Sequence, residues 1–498
     1  MPPLLPRSSG VLLHPTSLPG PFGIGDLGPE AHRWVRTLVS AGQSWWQVLP
    51  LGPTGFGDSP YQSFSAFAGN INLLSPELLI QDGLLPDTFF AGQSFPADHV
   101  DYERVTAAKR AMVREAWGQF RGGSANHLRG AFDDYRERQK EWLPDYARFM
   151  AIREALGGLG MAEWPSEVRT RQPVALASLE AQLDREVLTH SFGQFLFDRQ
   201  WAELQTLAHE HRVQLIGDAP IFVAGDSADV WANSDQFLLD GDGKPAAVAG
   251  VPPDYFSEDG QHWGNPLYDW ERMEQTGYAW WVARLRRQLE QVDLIRLDHF
   301  RGFAAAWHVP PDETTAKNGA WVDGPGAKLF AQLKLAFGSL PIIAEDLGLI
   351  TPDVHALREQ FQLPGMRVLQ FMLGEPENPY WPHNYEPNTV AYTGTHDNDT
   401  TVGWWGGLTE EDRKKVADYA GHEVHAPHWE LIRLAWGSVA ALAIAPLQDL
   451  MGLGREARMN VPGAANGNWQ WRFRPDQFHD DVFPMLKRLT ERFNRIVK

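Results

Sequence analysis

The sequence contains no cysteine. Disulfides, thiolate catalysis and Cys-based zinc sites are therefore excluded. No stretch approaches the ~20 apolar residues of a membrane helix. The opening MPPLLPRSSG holds three prolines and no apolar core of signal-peptide length. Basic charge is scarce: 44 Lys and Arg face 63 Asp and Glu, for a net charge of −19. Nucleic acids and anionic membranes both demand a positive surface, so neither is an expected partner. There is no low-complexity tract, and no internal repeat beyond a strand–helix period. These absences lead to the expectation of a cytoplasmic protein.

What is present is ordinary for a globular chain: 43% apolar and 21% charged residues over 498 positions. That length suits several domains, or one large barrel with insertions. The 21 tryptophans are unusual. They serve either core packing or stacking on a flat ligand, sugars being one class that suits them.

Short apolar runs that end in polar residues recur at 10–20, 44–53, 213–223, 292–302, 340–348, 366–372, 389–398 and 438–450. Helical patterns separate most of them, as at 29–42, 278–291 and 351–362, the last with Thr351 as N-cap ahead of Pro352. Strand–helix alternation predicts parallel pairing and right-handed crossovers. Eight runs predict an α/β fold closed into one (β/α)8 TIM barrel over residues 1–498. A doubly wound open sheet would give the same local pattern. Two spacings exceed one βα unit. Residues 60–205 read as a mostly helical insertion between strands two and three. Residues 225–275 read as an irregular, aromatic-rich insertion between strands three and four, ordered and facing a ligand. The last residues, DQFHDDVFPMLKRLTERFNRIVK, carry a helical pattern rather than strands of a β-sandwich.

Barrel enzymes keep their catalytic groups at the carboxyl ends of the strands. Here strand three ends in Asp218, strand four in Asp298, strand five in Glu345, and strand seven in His396 and Asp397. One carboxylate at a strand end is most simply a structural acceptor; three at matching ends favour chemistry. A carboxylate pair is the usual machinery for glycosidic bonds, one as nucleophile or base and one as proton donor. Arg296 lies two residues before Asp298, on the same strand face, where a guanidinium would hold it ionised and oriented. Glu345 follows an apolar run, and desolvation there should keep it protonated, as a general acid requires.

Other motifs carry less. GIGDLG (23–28) fits G-x-G-x-x-G but follows a Pro-rich loop rather than a strand, so it reads as a turn. DGDGK (240–244) begins like an EF-hand loop, yet Val251 stands where the bidentate Glu belongs. His299 and His396 fit no compact zinc spacing. No metal and no cofactor are expected.

Four segments resemble the conserved regions of the α-amylase superfamily: GDAPIFV (217–223), IRLDHFRG (295–302), IIAEDLG (342–348) and TGTHDN (393–398). HPTSLPGPFGIGDLG (14–28), GDSPYQSFSAFAGN (57–70), PPDYFSEDGQHWGNPLY (252–268) and EARMNVPGAANGNW (456–469) further resemble its amylomaltase branch, the 4-α-glucanotransferases or disproportionating enzymes. The resemblance implies a retaining double displacement on α-1,4-glucans and malto-oligosaccharides without metal or organic cofactor, and no C-terminal β-sandwich. It implies Asp298 as nucleophile, Glu345 as acid and then base, and Asp397 as the group that binds ring hydroxyls and stabilises the transition state. Asp218, Arg296, His299 and His396 would bind or orient the sugar and these groups. Tyr61 resembles the ring that stacks on the donor glucose, Tyr255, Phe256 and Trp263 the aromatic loop over the site, and Asn468 a further sugar ligand. Phe56 departs from a Tyr that relatives can carry, which bears on long-chain or cyclic-product preference. The expected assembly is a monomer or weak homodimer.

The carboxylates alone do not separate a transferase, which can also form large cyclic glucans, from a hydrolase with the same machinery. That distinction rests on how well water is excluded and an acceptor sugar oriented. A non-catalytic glucan-binding protein and a metal-dependent barrel are the remaining readings.

Overall fold

In a computed structural model, which describes residues 5–497 other than 254–256, 465 and 478, a strand falls at each of the eight apolar runs, the first and the sixth beginning ahead of theirs. These are β1 (Ser8–Leu12), β2 (Trp45–Gln47), β3 (Gln214–Pro220), β4 (Leu294–Asp298), β5 (Ile342–Ala344), β6 (Gly365–Val368), β7 (Thr389–Tyr392) and β8 (Leu442–Pro446). They form one parallel sheet in the order β6-β7-β8-β1-β2-β3-β4-β5. The last seam closes where the Ala344 N–H donates to the Pro364 carbonyl at 2.9 Å. The result is a (β/α)8 barrel. Both faces of each strand are covered, which is why the runs read as continuously apolar rather than alternating. At Gly10 a Cβ would lie 2.4 Å from the Trp45 carbonyl oxygen, so only glycine lets β1 and β2 approach this closely.

Most tryptophans do structural work. Trp46, Trp201, Trp231, Trp281 and Trp436 are fully buried. Several indole N–H groups are paired, as Trp46 Nε1 is to the Leu13 carbonyl at 2.7 Å, consistent with the cost of an unpaired buried donor.

The helices include α1 (Pro29–Ser40), α2 (Tyr102–Arg121), α3 (Leu143–Ala155), α4 (Pro173–Glu210), α5 (Ala279–Leu289), α6 (Pro352–Gln360) and α7 (Val482–Arg492). Between β2 and β3 the chain is largely helical, and α4 alone runs 38 residues to the threshold of β3. Thr351 does occupy the N-cap of α6 with Pro352 at its first turn, but its side chain caps no backbone N–H. Its Oγ1 accepts from Arg301 instead.

The stretch read as irregular between β3 and β4 contains regular strands. Val248–Val251 and Gln261–Pro266 pair antiparallel, and Ala305–Val309 and Ala320–Asp323, beyond β4, complete a four-stranded sheet. The GIGDLG segment forms turns leading to Gly28, the N-cap of α1, whose N–H is held by Asp26 Oδ1 at 2.9 Å. In DGDGK, Asp240 Oδ1 accepts the N–H groups of Asp242 and Lys244, closing a local turn. Among the described residues, no strand follows β8, and no helix is long and apolar enough to cross a membrane.

Candidate active site

The parallel register sets Asp218 of β3 beside Arg296 of β4, and Pro220 beside Asp298. Arg296 Nη1 lies 2.8 Å from Asp218 Oδ2 and 2.8 Å from Asp298 Oδ1. Arg296 and Asp218 are buried. Burial opposes the guanidinium charge, yet the two carboxylates outweigh it and drive its pKa well above the ordinary value. The Tyr61 hydroxyl donates to Asp218 Oδ2 at 2.8 Å. A continuous polar chain thus runs Tyr61–Asp218–Arg296–Asp298, with Asp298 at its more open end.

Directly after β4, His299 adopts a left-handed backbone, φ 52°, a conformation that is uncommon away from glycine. The turn aims the His299 N–H at Glu345 Oε2, 2.7 Å away, while the Leu347 N–H reaches Oε1 at 2.9 Å. Burial first, then the charge of Asp298, pushes the Glu345 carboxyl up to about 7, against the opposing pull of Arg296 and these two N–H groups. The His299 ring meets Trp263 edge-on, centroids 4.7 Å apart. Burial takes its pKa down to about 4, so the imidazole is neutral.

Past β7, Asp449 fastens the loop: it accepts from the Thr393 hydroxyl at 2.6 Å and the Thr401 N–H at 2.7 Å. His396 Nε2 lies 3.3 Å from Asp397 Oδ1. Burial would lower the His396 pKa, but Asp397 raises it beyond the ordinary value. Burial likewise opposes ionisation of Asp397, and His396, Asn460 and Arg296 reverse this and hold it far below the carboxylate range. The Asp397 side chain remains 43% exposed, open to a ligand. The Tyr61 ring stacks on His396, centroids 4.9 Å apart at 18°.

The structure therefore brings Tyr61, Asp218, Arg296, Asp298, His299, Glu345, His396 and Asp397 to one rim, with Trp263 against His299. Tyr255 and Phe256 lie outside the described residues. Asn468 spends its amide on its own loop, accepting the Val461 N–H and donating to the Ala464 carbonyl. Its neighbour Trp469 is the residue that packs on Tyr61 and His396. Phe56 is 81% exposed. Sequence reasoning missed Asn460, whose Nδ2 donates to Asp397 Oδ1 at 2.6 Å, and Arg458, which donates to the Asp397 carbonyl. It also missed His14, buried at the end of β1 and taken down to about 3 by burial and then by His396. Asn460, Arg458 and Trp469 all fall inside EARMNVPGAANGNW, so the signal was the segment rather than any spacing within it.

A closed (β/α)8 barrel with ionisable groups gathered at the carboxyl ends of its strands has the design of a barrel enzyme. The sequence profile of the 4-alpha-glucanotransferase family matches residues 13–477. A 4-alpha-glucanotransferase of Synechocystis sp. is 50% identical, covering 98% of each chain. One from Thermus thermophilus is 48% identical over 99% of this chain and 100% of its own. The amylomaltase of Streptococcus agalactiae, solved in complex with acarbose, superposes with a TM-score of 0.95 at 38% identity, covering 98% of this chain and 99% of that one. The chain belongs to the 4-α-glucanotransferase family, the amylomaltases.

Proposed function

We propose that this chain transfers α-1,4-glucan segments by double displacement, with Asp298 as nucleophile and Glu345 as the proton-transfer group. An Asp298 oxygen forms a bond to the anomeric carbon as the glycosidic C–O bond breaks. Glu345, protonated below about pH 7, gives its proton to the departing 4-oxygen. Esterification removes the Asp298 charge, and with it part of what raised the Glu345 pKa. Glu345 then takes the proton of an incoming sugar 4-hydroxyl, whose oxygen displaces Asp298 and restores the α-linkage. The steps balance on these side chains.

Asp397, ionised and half-exposed, accepts hydrogen bonds from ring hydroxyls and stabilises the positive charge developing on the ring. Tyr61, propped by His396, offers a flat face to the donor glucose. Arg296 keeps Asp298 and Asp218 oriented, and the His299 N–H holds Glu345 while its neutral ring packs against Trp263. Large cyclic glucans arise when the acceptor hydroxyl belongs to the far end of the same enzyme-bound chain. The observation that carries this reading is the pairing of two unlike carboxyls on adjacent strands: Asp298 held by a guanidinium, Glu345 buried and proton-bearing.

The test is incubation with maltotriose alone, chelator present, with products resolved by length. Longer maltodextrins plus glucose at nearly constant reducing ends support transfer. Glucose and maltose with rising reducing ends would overturn it in favour of hydrolysis.

A further inference from the structure

A cavity of about 330 Å³ lies between α3, α5 and the segment that follows Tyr61, and none of the three rim carboxylates lines it. Its walls include the rings of Phe67, Trp142 and Trp280 and the polar side chains of Asp229, Asn233 and Gln139. Phe67 lies nearly parallel to Trp142 (6.2 Å, 22°) and edge-on to Trp280 (5.9 Å, 78°). Trp280 is 8% exposed and its indole N–H has no partner among the described residues. Two of the wall's charges sit in ion pairs, Arg287 with Asp198 and Glu290 and Asp145 with Arg148 and Arg171, and Arg138, Glu141 and Arg286 also line it, so both signs of charge face the cavity. Aromatic edges, a buried carboxyl, amides and side chains of both charges offer many hydrogen-bond donors and acceptors with no single dominant sign, which suits a neutral, hydroxyl-rich ligand rather than an ion.

The same walls hold the loop that carries Tyr61. Asp229 Oδ2 accepts the Ala66 N–H at 2.8 Å, and Arg287 Nε donates to the Phe67 carbonyl at 3.0 Å. A ligand against Phe67 and Asp229 therefore bears on a segment that begins a few residues from the donor-stacking ring.

We propose that this cavity is a second malto-oligosaccharide site, distinct from the rim, whose occupancy steadies residues 64–69 behind Tyr61. The proposal rests on the family's α-glucan substrate and adds a place where that glucan is held without reacting. The volume is at the lower end of the ~300–1,000 Å³ range of small-molecule sites, room for a short segment of the chain.

The experiment compares three full-length chains by titration calorimetry with maltopentaose: Glu345→Gln, Glu345→Gln with Ala283→Phe, and Glu345→Gln with Trp142→Ala. Ala283 lines the cavity from α5, so the added ring fills it. Both double variants are expected to lose one binding event relative to Glu345→Gln alone. Maltopentaose should slow amide exchange over 64–69 in the parent and not in the cavity-filled chain. Equal stoichiometry in all three chains overturns the second site while leaving the rim reading intact. No binding to any of them overturns the glucan reading itself, and this proposal with it. Ala283→Phe with Glu345 intact should turn over maltotriose at the parent rate, which establishes that the filled chain is folded.

Discussion

One nitrogen of Arg296, Nη1, lies 2.8 Å from a carboxylate oxygen of Asp298 and 2.8 Å from one of Asp218. Two strand-end carboxylates therefore share a single buried cation. Removing that cation leaves the buried Asp218 carboxyl, whose pKa burial already raises, with the Tyr61 hydroxyl and the charge of His396 as its remaining support. Arg296→Met should lower unfolding free energy by about 3–5 kcal/mol and suppress turnover. Arg296→Lys should recover part of the stability, since its point charge does not reproduce the planar fork. Urea unfolding checks the first expectation, and an Arg296→Met chain as stable as the parent would contradict it.

The raised Glu345 pKa gives the pH profile a definite alkaline limb. The first half-reaction needs the protonated acid, so kcat/KM for maltotriose should fall as pH rises through about 7. A profile flat from pH 6 to about 9 would remove Glu345 from the proton-donor role.

The same group predicts a pH-dependent gain in stability when it is neutralised. The Glu345 pKa is raised from 4.5 to about 7 on folding. Between those values the folded chain holds the proton that the unfolded chain has lost, so stability falls as pH rises through this window. Above about 7 the full penalty, about 3 kcal/mol, is present. Glu345→Gln removes it. The variant should therefore melt higher than the parent at pH 8 and nearly level with it at pH 4, while losing activity. An equal Tm difference at both pH values would contradict this.

Asn460 is a positioning residue for Asp397, to which it donates at 2.6 Å. Asn460→Ala should lower kcat for maltotriose by about 10- to 100-fold, the equivalent of one hydrogen bond to a charged group. Asn460→Asp, which sets a second carboxylate against the first, should do worse than Ala. An Ala variant with parental kcat would free Asn460 from this role.

The barrel was legible because each of its strands is buried on both sides and ends in polar residues at the rim. Ile342–Ala344 followed by Glu345 and Thr389–Tyr392 followed by His396 and Asp397 are the plainest cases. The antiparallel sheet was not legible, for the converse reason. Ala320–Asp323 is exposed at every position and Gln261–Pro266 is buried only at its end, so neither shows a periodic apolar face. Side chains on barrel strands inherit their direction from the strand, which made Arg296, Asp298 and Glu345 readable. Asn460 and Trp469 come from a loop, and only the folded chain brings them to Asp397 and Tyr61. The choice of Asn468 within that loop picked an amide bonded to the loop's own backbone over the two neighbours that face the site.

In the proposed reaction Asp298 carries the glucosyl group. Glu345→Gln offers the direct test. A maltosyl fluoride needs little acid assistance to leave, so the first step proceeds, while the missing base at position 345 slows the second. Mass spectrometry of peptides from the reacted variant should find the sugar mass on the peptide containing Asp298. It should be absent when Asp298→Asn is added. An adduct on another carboxylate, or release of fluoride with no adduct at all, would contradict the account.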